Sequence, residues 1–433
     1  MNHITKILLL HLIVTFIQGA FPIELSPDET TDAINFYSAN DTEHILILKA
    51  STNTSWSQQN SESATLIVSI DNDWNNYNQD IILYAGLSQH DYFIHLGPII
   101  EGYHTIQLKF DSIKSSTGAS IVQIESIEII DMESIDIDED VIRHSPILYG
   151  RDLLAWNEST HTDIPLIMWH DINFEGTNKR ITYSLIFSNE DSRVGIGLAE
   201  LMFSYGRTTD IEWMYEVLLN PSGEILNEIF QGASHITTEF QGNKIDRHPI
   251  LKNATLNCNF SDTGTSNYKF FLAPIFTQTE GNTREILMDE NPWTYRIMAE
   301  ELINEERYEP IANPESVEIS DVRNYLYIQY TGNIYGENVP MDISINFIGN
   351  CNSYIHHHNF VEFNSNYYGG TNRTSIEIPE NFDPTKMYKL RFSTTGNTNY
   401  TININDISRL FYLDDNYIPV EMNFDFTSFN INL

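Results

Sequence analysis

The segment TTDIEWMYEV, residues 208–217, places two carboxylates two positions apart. On a β-strand Asp210 and Glu212 would project from one face, because successive residues alternate between faces, and their Cα atoms would lie about 6.6 Å apart. Glycoside hydrolases hold their two catalytic carboxyl groups about 5 to 9.5 Å apart. The pair therefore predicts a glycan hydrolase site. The alternative interpretation is that both acids lie on the solvated face of a sheet.

Other polar residues of the same region could complete a sugar-binding pocket around that pair. Sugars bind where their CH faces stack on aromatic rings and their hydroxyls pair with carboxylates and guanidinium groups. Asp289 is a third candidate catalytic acid. The candidate substrate-binding residues lie next to turns that end predicted strands, where loops display functional groups on a rigid scaffold; they are Arg151, His170, Arg207, His248, Trp293 and Arg296. The alternative is that these residues form independent ion pairs and helix caps.

Several other catalytic chemistries have no signature in the sequence. There is no Gly-x-Ser-x-Gly elbow, and neither cysteine lies in a protease nucleophile motif. The His-Glu-x-x-His, Walker and Rossmann patterns are also missing. We therefore expect neither phosphoryl transfer nor nicotinamide chemistry.

The loop DNDWNNYNQD, residues 71–80, begins like a calcium-binding loop. The glycine and the closing glutamate of an EF-hand are missing, so the EF-hand interpretation fails. A calcium site of another type remains, and structural calcium is the one cofactor that we expect. Its oxygen ligands would be Asp71, Asp73, Asn75 and Asp80. The alternative is an Asx-rich loop between two strands.

The first twenty residues have the pattern of a secretory signal. Lys6 precedes an apolar run over residues 7–16, and the small residues Gly19 and Ala20 follow it. This pattern predicts cleavage near Ala20 and a secreted, extracellular protein. No later apolar run reaches the roughly 18 residues of a membrane helix, so we expect no membrane span.

Acidic residues outnumber basic ones by 60 to 23, which gives a formal net charge of −37. Such a charge repels phosphate groups and anionic membranes, so we expect no nucleic-acid partner. A polysaccharide or glycoconjugate is the expected partner. The sequence leaves the oligomeric state open.

Two cysteines and seven glycosylation motifs bear on an exported chain. Cys258 and Cys351 could form one disulfide in an oxidising compartment or remain free thiols. In a eukaryotic source the Asn-x-Ser/Thr motifs would mark N-glycosylation sites; they are Asn40, Asn53, Asn157, Asn253, Asn259, Asn372 and Asn399.

The elements that must position these residues are mainly strands. Short runs of alternating apolar residues, separated by Gly, Asn, Asp and Ser, predict an antiparallel, jelly-roll-like β-sandwich over residues 21–130 and another over 313–433. Residues 131–142 predict an acidic linker. A β-rich mixed central domain over 143–312 would include helices at 197–206, closed by Gly206, and at 291–308.

Three functions fit this organisation. The first is a glycan-binding, matrix or coat-associated protein, since the first domain is loosely similar to carbohydrate-binding sandwich modules in its strand cadence and its Asp/Asn/Trp loop. The second is a glycan-active hydrolase that uses the central carboxylates. The third is a structural assembly protein. The first is favoured because no specific catalytic signature is present.

Overall fold

A computed structural model describes residues 21–75, 78–151, 163–190, 197–278, 282–309, 318–335, 339–347, 353–361, 371–378, 383, 386–394 and 401–422. The chain divides into two compact units. Unit 1 comprises Met1–Asp191 and Thr209–Thr277, and unit 2 comprises Ser192–Thr208 and Gln278–Leu433. The predicted signal peptide, residues 1–20, lies outside the described residues. Strand accounts for 49% of the structure and helix for 13%, which confirms the mainly β prediction.

The first part of unit 1 is built from eight strands. In chain order they are β1 (Ile23–Leu25), β2 (Ile34–Ser38), β3 (Thr42–Thr52), β4 (Ala64–Ile70), β5 (Asp80–Leu83), β6 (His90–Ile99), β7 (Gly102–Phe110) and β8 (Val122–Asp131). They form two antiparallel four-stranded sheets. One has the order β1-β8-β3-β6 and the other β2-β7-β4-β5.

Strand β7 illustrates why these segments form strands with one buried face. Its sequence GYHTIQLKF alternates, and Ile106, Leu108 and Phe110 are fully buried while Thr105 and Gln107 between them are half-buried. Leu66 and Val68 of β4 are fully buried beside them, as are Leu46 and Leu48 of β3 in the other sheet. Burial of such side chains stabilises the fold by about 1.5 to 3 kcal/mol each.

The described residues in the rest of unit 1 form one short α-helix and eleven strands. They are α1 (Glu139–Arg143), β9 (Ile147–Tyr149), β10 (Pro165–Glu175), β11 (Asn178–Phe187), β12 (Ile211–Leu219), β13 (Ile225–Gly232), β14 (Ile236–Glu239), β15 (Lys244–Ile245), β16 (His248–Asn253), β17 (Phe260–Ser261), β18 (Lys269–Phe270) and β19 (Phe276–Thr277). One sheet has the order β14-β13-β12-β11-β10-β19. The other has the order β15-β16-β9-β18, and β17 also pairs with β16. Both sheets are mixed, because β10 pairs with β19, and β9 with β16, in parallel.

The acidic segment 131–142, predicted as a linker, is folded into unit 1. Asp138 caps α1 by accepting a hydrogen bond from the Asp140 amide at 3.0 Å. Val141 within α1 is fully buried. Lys179 of β11 lies 2.6 Å from the Asp138 carboxylate. Apolar burial and ion pairing therefore fix a segment whose charge had suggested a solvated connection.

In the described part of unit 2 there are three α-helices and seven strands. They are α2 (Leu198–Tyr205), α3 (Ile286–Glu290), α4 (Trp293–Asn304), β20 (Tyr325–Tyr335), β21 (Val339–Phe347), β22 (Ser353–Val361), β23 (Thr371–Glu377), β24 (Met387–Thr394), β25 (Thr401–Leu413) and β26 (Pro419–Glu421). The strands form antiparallel sheets in the orders β23-β20-β25-β26 and β22-β21-β24. The two predicted helices are present as α2 and α4, and Gly206 closes α2 with φ at 66°. Within the described residues, no helix is both long and apolar enough to cross a membrane.

Strand β12 departs from the simple alternation that its sequence suggests. Ser184 of β11 pairs with Trp213, and the preceding residue Tyr183 pairs with Tyr215, so Met214 is an extra residue in β12. Met214 is fully buried and Trp213 only half-buried. A bulge shifts the alternation by one position, so simple alternation along the sequence does not predict that Met214 is fully buried and Trp213 is not.

Two glycines of unit 1 allow the cost of a strained backbone conformation to be measured apart from the cost of steric crowding. Gly86 (φ 60°) and Gly176 (φ 64°) share the left-handed conformation, but a Cβ at Gly86 would lie 2.6 Å from the Thr54 carbonyl oxygen, whereas one at Gly176 would contact nothing within 4 Å. We predict that Gly176→Ala lowers the free energy of unfolding by about 1 to 2 kcal/mol, the cost of the conformation alone. Gly86→Ala should cost clearly more. The urea concentration at the midpoint of unfolding, with the m-value unchanged, measures both variants. Equal shifts of this midpoint in the two variants would contradict the prediction.

Candidate functional site

The predicted acidic pair is enclosed. Asp210 precedes β12 and is 2% exposed, and Glu212 within β12 is 7% exposed. The Asp210 backbone oxygen accepts a hydrogen bond from the Phe187 amide at 2.8 Å. The Glu212 carboxylate lies 3.4 Å from Nδ1 of His235. The alternative of a solvated sheet face is therefore wrong for both acids, while their catalytic role stays a prediction.

Asp210 and Arg151, two of the predicted site residues, lie near the same buried thiol. Arg151 donates from Nε to Asp163 at 2.8 Å, and both side chains are almost completely buried. Burial raises the pKa of the Cys258 thiol well above its usual range, and the charges of Asp163 and Asp210 raise it further. A protonated thiol is a poor nucleophile and a poor metal ligand. This group is a buried polar cluster without the chemistry of a cysteine enzyme.

Asp289 belongs to unit 2, where arginines bind its carboxylate. Arg373 lies 2.5 Å from it, and Arg409 also forms an ion pair with it. The Tyr295 hydroxyl donates to the same carboxylate at 2.5 Å. The Asp289 side chain is 2% exposed. Two guanidinium groups and a tyrosine hydroxyl occupy this carboxylate, so the geometry fits a structural role.

The other predicted residues of unit 2 also have local partners. Arg207 donates to Glu285 at 3.0 Å, and both are buried. Arg296 pairs with Glu300 at 3.6 Å along α4. Trp293, the first residue of α4, is half-buried. The nine predicted catalytic and substrate-binding residues therefore do not form a single cluster within either unit.

His170 and His248 lie in unit 1 and are both buried. Nδ1 of His170 donates to the Pro274 carbonyl oxygen at 2.7 Å, and burial lowers the pKa of this ring. His248 lies beside Glu43 and His95, and the ligand atoms of these three side chains all lie within 4.8 Å of one another. Neither Glu43 nor His95 was predicted from the sequence. The local signal for His95 was its position as a polar residue within the apolar strand segment FIHLG, residues 93–97.

Two of the four predicted calcium ligands, Asp80 and Asp71, have side-chain partners from the chain. The Asp80 carboxylate lies 2.7 Å from the Lys114 ammonium, and burial raises its pKa to about 6 although Lys114 lowers it. The Asp71 carboxylate lies 2.7 Å from Nδ1 of His104. A lysine therefore neutralises Asp80, which is not a suitable calcium ligand. The calcium site stays a prediction for Asp71, Asp73 and Asn75.

Burial contradicts the prediction for two of the glycosylation sites. Asn253 is 0% exposed and Asn259 is 2% exposed, so neither amide has room for a glycan in the folded chain. Asn40 and Asn53 are exposed and Asn372 is half-buried, whereas Asn157 and Asn399 lie outside the described residues. Cys258 has no disulfide partner within the described residues, and Cys351 lies outside them. The disulfide stays a prediction.

An aromatic corner lies on the outward face of the β2-β7-β4-β5 sheet. Tyr37 of the edge strand β2 pairs in register with Tyr103 of β7. Their ring centroids are 5.0 Å apart, and their planes are tilted by 57°. Tyr37 is 41% exposed and Tyr103 is 86% exposed. Solvent-facing aromatic rings side by side on a rigid sheet are a feature of binding surfaces rather than of cores.

Polar side chains continue this face along the same two strands. Asn35 precedes Tyr37 by two positions and pairs in register with Thr105, which follows Tyr103 by two positions. Asn35 is exposed and Thr105 half-buried. Residues two positions apart on a strand lie about 6.6 Å apart on one face. The aromatic corner and this polar pair therefore lie side by side on one face of the sheet.

Asp71 fixes the polar end of the face. Its carboxylate accepts a hydrogen bond from the Thr105 amide at 2.8 Å and lies 2.7 Å from His104, whose ring points into the sandwich. These contacts fix the orientation of the Asp71 carboxylate beside Thr105. Because half of the Asp71 side chain remains exposed, it can still accept hydrogen bonds from a ligand.

No protein-family model matches the sequence, and no curated protein matches it either. Solved structures match parts of the chain. The insecticidal delta-endotoxin Cry8Ea1 from Bacillus thuringiensis is 15% identical over a match that covers 26% of this chain and 19% of that chain, with a TM-score of 0.20. A ruminal GH26 endo-β-1,4-mannanase is 8% identical and covers 32% and 30%, with a TM-score of 0.19. BiXyn10A CBM1 in its apo form is 11% identical and covers 27% and 79%, with a TM-score of 0.17.

These similarities are local. The match spans about a fifth of the endotoxin and under a third of the mannanase. TM-scores this low carry no argument about function.

Asp289 offers a test of its structural role in unit 2. We predict that Asp289→Asn lowers the free energy of unfolding by about 3 to 5 kcal/mol, because it leaves the Arg373 and Arg409 charges without their buried partner. The matched control is Asp383→Asn, which removes a surface pair with Lys386 at 3.4 Å and should cost about 0 to 1 kcal/mol. Urea unfolding of the full chain measures both variants. An Asp289→Asn variant as stable as the wild-type protein would contradict this role.

Proposed function

We propose that this protein is a secreted glycan-binding protein and that it binds its ligand on the aromatic corner of the first β-sandwich. The observation that carries the proposal is the pairing of Tyr37 and Tyr103 on the outward face of the sheet. A tyrosine ring offers a flat apolar surface to the CH face of a sugar, and its hydroxyl offers a hydrogen bond. Two rings tilted by 57° can contact two sides of one sugar ring.

The polar neighbours of the corner suit the hydroxyl groups of a sugar. Asn35 offers both an amide donor and a carbonyl acceptor, and Thr105 offers a hydroxyl. The exposed part of the Asp71 carboxylate accepts hydrogen bonds only. A face that alternates apolar and polar positions along two strands is complementary to a pyranose, which has an apolar face and a polar rim.

The charge of the chain favours neutral glycans. With a formal net charge of −37, the protein repels sulfated and uronic-acid polymers over distances of about a Debye length. Stacking and neutral hydrogen bonds are much less sensitive to that repulsion. We therefore expect binding to neutral polysaccharides, with weak dependence on salt concentration.

The hydrolase alternative receives less support from the geometry. A retaining or inverting glycosidase needs two carboxyl groups that face one substrate. Asp289 is bound by two arginines, and Asp210 lies in a buried cluster with Arg151 and Asp163. Neither arrangement leaves a carboxylate facing a solvent-exposed aromatic wall.

Substitutions in the aromatic corner test the proposed function. We predict that Tyr103→Ala weakens the binding of a neutral polysaccharide by about 10-fold, which corresponds to about 1.4 kcal/mol, because it removes the more exposed stacking surface. Tyr103→Phe should keep most of the affinity, since it removes only the hydroxyl. Affinity electrophoresis through gels containing β-glucan, mannan or xylan, followed by calorimetry with oligosaccharides, makes the measurement.

The control is a matched exposed aromatic residue of the same unit. Phe174 near the end of β10 is 68% exposed and lies outside the aromatic corner. Phe174→Ala should leave the affinity unchanged. The proposal fails if no neutral glycan retards the wild-type protein, or if Phe174→Ala weakens binding as much as Tyr103→Ala does.

A further inference from the structure

We propose that Glu43, His95 and His248 bind a divalent transition-metal ion of the zinc class that ties three strands of unit 1 together. Glu43 belongs to β3, His95 to β6 and His248 to the start of β16. The Glu43 carboxylate lies 3.2 Å from Nε2 of His95 and 3.5 Å from Nε2 of His248. This site is independent of the glycan-binding face.

A bulge in β6 brings His95 to the same side of the sheet as Glu43. His44 pairs with Gly97, and Ile45 pairs with His95, so Leu96 is an extra residue. Residues directly opposite each other share a face, and Ile45 shares its face with Glu43, two positions away. Without Leu96 as the extra residue, His95 would lie on the other face. Bulges that redirect a side chain in this way are features of functional sites.

Ser145 holds both imidazole rings from behind. Nδ1 of His248 lies 2.8 Å from the Ser145 backbone oxygen, an acceptor only, so this nitrogen carries the proton. Nδ1 of His95 lies 2.9 Å from the Ser145 hydroxyl oxygen, and that hydroxyl donates to the Ile142 carbonyl oxygen at 2.9 Å. The hydroxyl oxygen therefore accepts from His95. When both rings are neutral, the lone pair of each lies on Nε2, which faces Glu43.

In this state the Glu43 carboxylate and the two Nε2 atoms are all hydrogen-bond acceptors, and they face one another with no proton between them. Nε2 of His248 has no hydrogen-bond partner within the described residues, and His248 is 1% exposed. His95 is fully buried, and Glu43 is 7% exposed. The ion-pair partners of Glu43 in the described part of the chain are these two histidines. Buried acceptors that face one another repel, and a cation between them removes that repulsion.

The two separations between the Glu43 carboxylate and the imidazoles fit a zinc-sized ion, and the remaining pair of ligand atoms lies within 4.8 Å. In a tetrahedral site with bonds of about 2.0 to 2.1 Å, ligand atoms lie about 3.3 to 3.4 Å apart. The observed separations of 3.2 and 3.5 Å lie on either side of this value. Two imidazoles and one carboxylate are a common ligand set for zinc, whereas calcium requires six to eight oxygen ligands. In a metal-binding histidine, the ring nitrogen that does not bind the metal is usually held by a hydrogen bond, and both Nδ1 atoms are held in this way by Ser145.

Phe271 encloses the site and points to a structural role. Its ring centroid lies 4.1 Å from that of His95 and 4.8 Å from that of His248. Its backbone oxygen accepts a hydrogen bond from the His95 amide at 2.8 Å. Three protein ligands leave a fourth position, but the ligand side chains are buried. An ion here would link two strands of the β1-β8-β3-β6 sheet to β16 of another sheet.

The test is titration of the chelator-treated full-length protein with Zn²⁺ and with Co²⁺. We expect one equivalent of each ion to bind, a tetrahedral Co²⁺ absorption spectrum, and a melting temperature that rises with Zn²⁺ concentration. Glu43→Gln should weaken binding by more than about 100-fold, and Ser145→Ala by about 10-fold through the loss of ring orientation. The matched control is His104→Gln. His104 also faces a carboxylate, at 2.7 Å, but both of its ring nitrogens have hydrogen-bond partners, so binding should not change.

The stability of the metal-free Glu43→Gln variant separates a metal site from an ordinary buried ion pair. A glutamine amide can donate to an Nε2 lone pair, so this variant without metal should be at least as stable as the metal-free wild-type protein, while losing the Zn²⁺-dependent rise. If the wild-type protein shows no such rise and no tetrahedral Co²⁺ spectrum, the proposal is overturned. It is also overturned if Glu43→Gln binds like the wild-type protein, or if the variant is much less stable and neither protein binds metal. Should the variant not fold, the wild-type titration decides alone.

Discussion

A β-strand presents successive side chains to opposite faces, and the surfaces of this protein depend on where that alternation is kept and where a bulge shifts it. In β2 and β7 the alternation is kept, so Tyr37 and Tyr103 face outward while Phe36 and Ile106 are buried in the core. In β6 an extra residue shifts the alternation and moves His95 to the side of Glu43. A shift of one residue reverses which face a side chain occupies. The exposed aromatic corner and the placement of His95 beside Glu43 therefore have opposite local causes within one sandwich.

A second constraint is the cost of burying charge in a chain with 60 acidic and only 23 basic residues. Most of the acids must remain in solvent, because a buried carboxylate needs a partner. Basic side chains are placed where the buried acids are: Lys114 at Asp80 and Arg373 at Asp289. These acids stood out in the sequence because they lie beside aromatic and polar residues. The structure uses three basic residues, Lys114, Arg373 and Arg409, to neutralise these two acids, which leaves little catalytic chemistry at either position.

The sequence predicts those features that depend on local patterns. Alternation in GYHTIQLKF is sufficient to identify β7, and an apolar helical segment followed by Gly206 is sufficient to identify α2. The sequence does not predict features that depend on the register between strands distant in the chain. The bulge at Met214 follows from the register between β11 and β12, and no local pattern encodes it. Glu43 and His95 are 52 residues apart, and only the antiparallel pairing of β3 with β6 brings them together.

Glu43 differs from two other buried acids of unit 1, Asp80 and Asp163, in having no lysine or arginine partner among the described residues. Asp80 is neutralised by a lysine, and Asp163 is neutralised by an arginine. Glu43 instead faces two imidazoles, and Ser145 fixes the proton of at least His248 on the nitrogen that points away from the carboxylate. A neutral ring with its lone pair toward a carboxylate cannot compensate for the charge. Among the described residues no lysine or arginine pairs with Glu43, so the proposed zinc-class ion would supply the compensating charge from solution.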